Sequence, residues 1–387
     1  MTESYDVAVI GAGVHGAAAA FHLAERGVRT VVLEKGTPAG GPTGRSSAVC
    51  RAFYTNDFLA RVAKEAVAFF GDFEGLTGGE AGFRRTGALF LHPPEDSQTL
   101  IESAAQLNRI GTKVEVLTAN EIGERFPQLS PDGIAHAAWE PDAGYADPAG
   151  TTTGLLSAAR SKGVVSRNGV EVTAIKPGAS GGASSLQLSD GTRVSAAKVL
   201  IAAGPWSKAL AAQVGADLPL RVERHIVVTC AWGAAEPIPF VFADLPNSYY
   251  CKPEGTTQFL LGPLHEEPAV DADNFDETVS EPEVASLSDA MIGRVPTMVE
   301  AQPRGGWASL YDVSPDWQPV IGEIADSVFI DAGTSGHGFK LAPALGRHVA
   351  ELVVGESSDG EIAQFHPSRF AEGRLIQGGY GTAKILG

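Results

Sequence analysis

The residues with the clearest chemical meaning lie in the first 34 positions. A short apolar run at residues 5–10 predicts a strand, and it is followed at once by the sequence GAGVHG at residues 11–16. Residues 17–26 then predict a helix, and a second predicted strand at residues 30–33 ends at Glu34. This order of strand, GxGxxG, helix, strand and acidic residue is the one that a dinucleotide site requires.

Each glycine of this motif has a separate task in such a site. Gly11 permits the tight turn, Gly13 lets the backbone approach a pyrophosphate, and Gly16 lets the helix pack against the strand. The N-terminus of the helix offers unpaired N–H groups and a partial positive charge to the phosphates. Glu34 is placed to accept hydrogen bonds from ribose hydroxyls, and its charge disfavours the 2′-phosphate of NADP. A purely structural glycine-rich turn is the weaker interpretation, because the full context is present.

The segment after Glu34 favours FAD over NAD. A nicotinamide-binding domain would continue with further βα units, whereas residues 36–47 are too rich in Gly and Pro to form a strand or a helix. The next predicted helix runs from about residue 57 to residue 70.

Two later segments repeat the pattern of a strand followed by a glycine-rich turn. A strand is predicted at residues 199–203, directly before Gly204. Another is predicted at residues 328–332, and the glycine-rich turn after it leads into a predicted helix at residues 341–354. Such units at the start, middle and end of the chain imply one cofactor domain interrupted by insertions.

Composition narrows the remaining possibilities. The chain has 387 residues, of which 44% are apolar and 19% charged, so disorder is excluded as its main state. A formal charge of −17 disfavours nucleic acid and anionic membranes as partners. The three cysteines contain no CxxC pair, which argues against a disulfide scaffold and suits a reducing cytosol. No apolar run reaches 18 residues and no basic region precedes the first strand, so we expect a cytoplasmic protein without a signal peptide or membrane span.

Six segments of the chain resemble the FAD-dependent amine oxidoreductases, the family of D-amino-acid oxidase, glycine oxidase and the sarcosine oxidases. In chain order they are YDVAVIGAGVHGAAAAFHLAERG, TGRSSAVCRAFY, FRRTGALFLHP, IAAGPWSK, LYDVSPDWQPVIGE and GTSGHGFKLAPALG. The resemblance is strongest to the monomeric sarcosine oxidases and the sarcosine oxidase β-subunit group, and the GHGFK block is its most specific part.

The resemblance implies an α/β (α+β overall) flavoprotein of two domains. A glutathione-reductase-like, FAD-binding Rossmann domain would comprise residues 1–80, 145–220 and 310–387. A substrate domain built on an antiparallel sheet would comprise residues 81–144 and 221–309. The sequence itself predicts strands in the substrate segments and one loop in the cofactor segments: strands at residues 83–91, 225–232, 239–243 and 258–261, and a loop at residues 176–185.

The same resemblance assigns residues to the substrate. Arg51 and Lys340 match two cations that hold the substrate carboxylate, although each could instead be an ordinary solvated charge. Tyr311 and Tyr250 match aromatic residues of the pocket wall, although both could be plain core residues. Because neighbouring side chains on a strand point to opposite faces, only one of Tyr249 and Tyr250 can face the pocket.

The cofactor contacts implied by the resemblance come from several loops. Arg45 lies in the loop that crosses the flavin, Val170 matches a residue whose backbone touches the adenine, and Ser46 and Ser47 are hydroxyl donors. The turn at residues 336–340 would point the N-terminus of its helix at the N1/O2 side of the flavin and stabilise negative charge there. The other expected cofactor-binding residues are Val14, His15, Lys35, Thr43, Ala203, Gly204, Trp206, Gly336, His337, Gly338, Phe339 and Lys340.

Four of the nine histidines bear on the site. His15 is expected to face ribose or solvent, and His337 is a candidate for both cofactor binding and catalysis. His225 and His265 lack the spacing of a metal site, so no metal is expected.

Two departures from the family pattern bear on the chemistry. The cysteine that holds the flavin covalently in sarcosine oxidase is matched by Ser309, so non-covalent FAD is expected. The lysine that lies beside flavin N5 and assists the reaction with oxygen is matched by Leu260. A slow oxidase, or a dehydrogenase that uses another acceptor, is therefore expected.

These observations predict FAD-dependent oxidation of the C–N bond of an amino acid, or of an N-methyl or cyclic amino acid, to an imine by hydride transfer to flavin N5, followed by hydrolysis. One alternative is a flavin monooxygenase or halogenase, which begins with the same motif but lacks the GHGFK block. Another is a flavin-bearing subunit of a multi-subunit amine dehydrogenase, since the sequence does not exclude a partner subunit.

Overall fold

The computed structural model of the protein describes residues 3–178, 182–356 and 360–378. The strands in these ranges are β1 (Glu3–Ile10), β2 (Thr30–Glu34), β3 (Val49–Cys50), β4 (Arg84–Arg85), β5 (Ala88–His92), β6 (Glu115–Thr118), β7 (His136–Glu140), β8 (Gly144–Tyr145), β9 (Val165–Asn168), β10 (Val172–Lys176), β11 (Ser184–Leu188), β12 (Arg193–Ile201), β13 (Arg221–Ala231), β14 (Val241–Asp244), β15 (Tyr249–Glu254), β16 (Gln258–Pro263), β17 (Gln302–Val313), β18 (Val320–Ala325) and β19 (Val328–Ala332). The α-helices are α1 (Val14–Glu25), α2 (Asp57–Gly71), α3 (Phe73–Thr77), α4 (Ser97–Arg109), α5 (Ala119–Arg125), α6 (Pro148–Ser161), α7 (Ser207–Ala212), α8 (Glu281–Arg294), α9 (Gly338–Val354) and α10 (Ser368–Ala371).

The first sheet is built around parallel strands. β1 pairs with β2 and β12, β2 pairs with β9, and β12 pairs with β19, which gives the order β19–β12–β1–β2–β9. The antiparallel strands β10 and β11 continue the sheet beside the first half of β12, and β18 pairs with β19. Alternate residues of β1 enter different cores: Val7 and Val9 pack with α1 and α9, whereas Ala8 and Ile10 pack on the opposite face. Burial on both faces explains why these strands are continuously apolar.

The glycine-rich turns lie at the carboxyl ends of β1, β12 and β19, but three predicted bounds were wrong. α1 begins at Val14 and not at residue 17, because Gly13 is its N-cap and Gly16 lies in its first turn. β12 ends at Ile201 and not at residue 203, because the chain turns there into a short 3-10 helix, Gly204–Trp206. α9 begins at Gly338 and not at residue 341.

The second sheet has eight strands in the order β17–β13–β16–β15–β14–β5–β7–β6. All of its pairs are antiparallel except β5–β14, which is parallel. The prediction of an antiparallel sheet was therefore wrong at this pair. The two strands come from distant segments and share no hairpin, so nothing local fixes their relative direction. The apolar side of α8, with Leu287 and Met291, packs on this sheet.

The predicted strands of the substrate segments are present with shifted ends. Residues 83–91 form two strands, β4 and β5, because the chain turns at Gly87 (φ +75°), where a Cβ would lie 2.1 Å from the Trp139 ring. The other three correspond to β13, β14 and β16. The predicted loop at residues 176–185 is shorter, because Lys176 ends β10 and Ser184 begins β11; residues 179–181 lie outside the described residues.

The loop and the helix between β2 and the first insertion agree with the sequence. The loop at residues 36–47 contains only a short 3-10 helix, Pro42–Arg45, and α2 follows with the Asn56 side chain accepting a hydrogen bond from the Leu59 N–H. In the described part of the chain, no helix is both long enough and apolar enough to cross a membrane.

Candidate functional site

A cavity of about 750 Å³ lies along the carboxyl ends of the parallel strands of the first sheet. The turns that follow β1, β2, β12 and β19 form one wall, together with the loop at residues 36–47. The second sheet forms the opposite wall, to which β13, β15 and β17 contribute His225, Tyr250 and Tyr311. The cavity therefore extends from the predicted dinucleotide turns to side chains of the other sheet.

The first glycine motif is shaped as a backbone cradle. A Cβ on Gly11 (φ +106°) would lie 2.4 Å from the Ala202 carbonyl oxygen, and one on Gly16 would lie 2.0 Å from the Gly11 carbonyl oxygen. Gly13 lines the cavity, and the Val14 N–H donates to Thr43 Oγ1 at 3.2 Å. Neither Gly11 nor Gly16 could carry a side chain, so strand, turn and helix pack as a dinucleotide turn requires.

Glu34 lies at the end of β2 and lines the cavity. Its carboxylate accepts hydrogen bonds from the Ala12 N–H at 2.8 Å and the Gly36 N–H at 2.7 Å, while its carbonyl accepts one from the Val170 N–H. The carboxylate is thus fixed in position, and its remaining lone pairs can accept from ribose hydroxyls.

Lys35 and Trp206 meet beside Glu34. The Lys35 ammonium lies 3.5 Å from the centre of the Trp206 ring, and the Trp206 Nε1–H donates to Asp273 at 2.7 Å. Lys35 also lies 3.5 Å from Asp273. The segment between β16 and α8 thereby closes against this end of the cavity.

The side chains of Arg45 and Ser46 make hydrogen bonds within the protein. The Arg45 guanidinium is bound to Glu277 at 2.7 Å and to the Ala308 carbonyl at 3.3 Å. Ser46 caps the local turn by accepting from the Ala48 N–H at 3.0 Å. The two Arg45 interactions join the loop at residues 36–47 to the segment before α8 and to β17, and the Ser46 interaction is local; Arg45 and Ser46 both line the cavity.

Aromatic side chains form the end of the cavity on the second sheet. The Tyr311 ring stacks on the His225 ring, with centroids 3.9 Å apart, and a Cβ on Gly336 would lie 2.4 Å from Tyr311. Tyr250 is hydrogen-bonded to Ser47, and burial raises the pKa of its phenol to about 12. Tyr249 instead lies buried in the core of the second sheet, which settles which member of the doublet faces the cavity.

Arg51, His337 and Lys340 form a buried cluster of basic side chains that do not line the cavity. Burial, together with the charge of Arg51, holds the pKa of Lys340 well below its usual range. Burial also lowers the pKa of His337, and both cations lower it further. Neither ring nitrogen of His337 makes a hydrogen bond of ordinary geometry to a described residue. The nearby Trp317 backbone raises the pKa of the ring slightly, but the effects that lower it are larger.

Arg51 is held in place by its own segment of chain. Its guanidinium donates to the Phe53 carbonyl and lies 4.6 Å from the centre of the Tyr54 ring. The buried carboxylate of Glu140 accepts from the Ala52 N–H at 2.7 Å and the Phe53 N–H at 3.1 Å. Burial raises the pKa of Glu140 to about 7.

Sequence reasoning missed three residues of this region: His225, Glu140 and Asp331. His225 bonds to buried Glu223 at 3.1 Å, and two polar residues at a spacing of two on one strand are a signal that the sequence contained. Asp331 likewise stands out as the acidic residue in the apolar strand β19. Glu140 gives no local signal, because the backbone groups that it binds are more than 85 positions away.

These residues fit FAD. The cavity combines a cradle that admits no Cβ at Gly11 or Gly16, a fixed carboxylate at Glu34 and the N-termini of α1 and α9. Ser309 lines the cavity, whereas the three cysteines are free and buried and do not line it. Within the described ranges, no cluster of three His, Cys, Asp or Glu is arranged to hold a metal ion.

Comparison with known proteins covers nearly the whole chain. A family model described as FAD dependent oxidoreductase matches residues 6–352. Glycine oxidase from Geobacillus kaustophilus (strain HTA426) is 29% identical over 384 residues, which is 95% of this chain and 98% of that protein. Peroxisomal sarcosine oxidase from Homo sapiens is 28% identical over 395 residues, covering 95% of this chain and 97% of that protein.

Among solved structures, L-proline dehydrogenase from P. horikoshii superimposes with a TM-score of 0.88 at 26% identity, covering 97% of this chain and 100% of that one. This full-length likeness confirms the predicted fold of a two-domain α/β flavoprotein.

Proposed function

The chain belongs to the family of FAD-dependent oxidoreductases, and we propose that it oxidises the C–N bond of an amino acid or of an N-methyl or cyclic amino acid. The product would be an imine, which water hydrolyses. FAD, when bound, supplies the acceptor for the hydride that leaves the substrate carbon. The activities named for its relatives support this class of substrate, since glycine, sarcosine and proline are all small amino acids.

The observation that carries the proposal is the electrostatic state of Lys340. Its amine group is buried near Arg51, and none of the described residues forms an ion pair or hydrogen bond with it. A buried cation without a carboxylate is costly, and a second cation nearby increases that cost. An anionic ligand would lower both of these energetic costs, and the carboxylate of an amino acid is such an anion.

In this proposal Arg51 and Lys340 bind the substrate carboxylate and thereby orient the α-carbon. They do not line the cavity, so substrate binding requires the cavity to extend to them. Tyr250 and Tyr311 then exclude water from the reacting carbon. With a pKa of about 12, the Tyr250 phenol stays protonated at neutral pH and can donate a hydrogen bond to the substrate.

We also propose the cofactor contacts predicted from the sequence, with a different role for Arg45. Glu34, the glycine turns and Val170 are positioned to hold the adenosine and pyrophosphate, whereas Arg45 serves mainly to join its loop to Glu277. We infer that FAD is held non-covalently, because Ser309 cannot form a thioether.

We also propose the domain boundaries and the cytoplasmic location that were expected from the sequence. The boundary at residue 310 falls within β17, which carries Ser309 and Tyr311 into the cavity from the second sheet. Three free, buried cysteines support a cytoplasmic location.

Anaerobic mixing tests the proposed function. Purified holoenzyme is mixed with N-methyl, D-, L- and cyclic amino acids while flavin absorbance is followed, and each acid is paired with its methyl ester. We expect at least one acid to bleach the flavin and its ester to fail. Bleaching by esters or simple amines as fast as by acids would overturn the proposed substrate class. Acid precipitation of the same preparation should release all FAD into the supernatant.

A further inference from the structure

His15, the second variable residue of the GAGVHG motif, joins two elements that are far apart in sequence. Its Nδ1 lies 2.8 Å from Asp331 Oδ2 at the end of β19, and its Nε2 lies 3.1 Å from the Gly338 carbonyl oxygen at the start of α9. The side chain is buried, so of the two expected orientations, toward ribose or toward solvent, the second is excluded.

Both partners of His15 are hydrogen-bond acceptors. A neutral imidazole has only one N–H to donate, whereas an imidazolium has two, so the geometry fits an imidazolium paired with an ionised Asp331. Burial alone would lower the pKa of His15, but Asp331 and Asp312 outweigh it and raise the pKa.

Among the described residues, only one of the two carboxylate oxygens of Asp331 has a hydrogen-bond partner. The residue is 2% exposed and lines the cavity, and its Oδ1 has no hydrogen-bond donor anywhere in the described ranges. The neighbouring Asp312 differs, because its carboxylate accepts from the Gly333 N–H at 2.6 Å and from Thr334 Oγ1 at 3.3 Å. A buried carboxylate oxygen without a donor is expensive, and it points to a donor that a ligand brings.

The order of the strands indicates which part of a ligand reaches Asp331. Glu34 ends β2 and Asp331 lies near the end of β19, and β1 and β12 separate these strands. Three strand spacings amount to about 14 Å along the edge of the sheet. Asp331 is thus displaced from the ribose end of the cavity toward the aromatic end, and His15 beside it lies on the first turn of α1, where the pyrophosphate is expected.

We propose that Asp331 is a cofactor-binding residue whose free oxygen accepts a hydrogen bond from a hydroxyl of the ribityl chain of FAD, and that His15 is the positioning residue that orients it. The ribityl chain is the part of FAD between pyrophosphate and flavin, and its hydroxyls are donors of the required kind. This inference rests on the FAD site alone and not on the proposed substrate.

Deoxy analogues of FAD test the proposal without any mutation. Holoenzyme is equilibrated with an excess of FAD lacking the 2′-, 3′- or 4′-hydroxyl of the ribityl chain, and the ratio of bound FAD to bound analogue is measured after release. We expect one analogue to bind at least tenfold more weakly than FAD, as a lost hydrogen bond to a charged group implies. Binding of all three within threefold of FAD would overturn the proposal.

Variants then identify the acceptor. In Asp331→Ala the penalty for the sensitive analogue should fall to within threefold, whereas Asp331→Asn, which keeps the shape but loses the charge, should retain a few-fold penalty. Asp289→Asn, an exposed change on α8, serves as the matched control and should keep the full penalty. A penalty that persists unchanged in Asp331→Ala and Asp331→Asn would show that another residue holds the hydroxyl and would contradict the assignment.

Discussion

At the scale of single residues, the proposed contact with a substrate carboxylate depends on the buried side chain of Lys340. Its pKa is held low by burial and by Arg51, so the protein without substrate gains little from the charged form. A substrate carboxylate bound beside Arg51 and Lys340 would instead favour the charged form of Lys340. Charge at Lys340 and binding of an acid are therefore coupled.

We predict that Lys340→Met and Arg51→Ala each lower kcat/KM for the acid substrate by about 10- to 150-fold, because each removes a hydrogen bond to a charged group. The two losses should not add in the double variant, since both residues serve one carboxylate. Steady-state kinetics over a range of substrate concentrations measures both effects.

Lys113→Met is the control for this pair, because Lys113 has a side chain that is 78% exposed. It should leave kcat/KM unchanged. If either Lys340→Met or Arg51→Ala stays within threefold of the unmodified enzyme, these two residues do not hold the substrate.

The sequence alone predicted those residues of the site whose identifying pattern lies within one short segment of the chain. Gly11, Gly16 and Glu34 lie within one strand–turn–helix–strand unit, and their spacing alone predicts a dinucleotide turn. The bond between His15 and Asp331 joins positions 316 apart, so the motif placed His15 near the cofactor without indicating its partner. Arg51 and Lys340 entered through family resemblance, and their isolation from the cavity lining could only be seen in three dimensions.

At the scale of elements, the end of β7 fixes the segment between β3 and α2. Glu140, the last residue of β7, makes this contact. Its carboxylate accepts hydrogen bonds from the backbone N–H groups of Ala52 and Phe53, which follow Arg51. Because burial raises its pKa to about 7 from the usual 4.5, the folded protein keeps a proton that the unfolded chain releases between these pH values. Stability from this group is therefore lost as pH rises from 4.5 to 7, by about 3 kcal/mol.

We predict that Glu140→Gln removes this pH dependence. Relative to the unmodified protein, the free energy of unfolding of the variant should rise by about 3 kcal/mol between pH 5 and pH 8. Urea denaturation of the holoenzyme in excess FAD at the two pH values measures the change. Glu74→Gln, at an exposed site on α3, should give the same difference at both pH values. A constant difference for Glu140→Gln as well would contradict the assigned ionisation.

Element types were predictable wherever one segment carries its own pattern, as in β1, β2 and α2. Pairings between distant segments were not. The parallel pair of β5 with β14 depends on how two insertions meet, and the split between β4 and β5 depends on the contact of Gly87 with the Trp139 ring. Neither contact has a signature within the strands themselves.

At the scale of the whole molecule, the two sheets face one another across the cavity, and Leu260, the residue expected to affect the reaction with oxygen, lies on the second one. Leu260 of β16 is paired directly with Lys252 of β15, two positions from the pair of Gly262 with Tyr250. Residues two apart on a strand share a face, so Leu260 and Lys252 lie on the same face as the cavity-lining Tyr250. The ammonium of Lys252 is bound to Glu254 at 2.5 Å, which offsets its charge.

We predict that the reduced enzyme reacts more slowly with oxygen than with a phenazine or indophenol dye, because this face presents an apolar Leu260 and a neutralised Lys252. Leu260→Lys should raise the rate with oxygen by about tenfold, which corresponds to roughly 1.4 kcal/mol of barrier supplied by an unpaired cation. Stopped-flow reoxidation of the photoreduced holoenzyme measures both rates, and it needs no knowledge of the substrate. Gln258→Lys places the same charge at an exposed position of β16 and should leave the oxygen rate unchanged. An unmodified enzyme that already reacts with oxygen as fast as with the dye, and is unaffected by Leu260→Lys, would show that oxygen reactivity is set elsewhere.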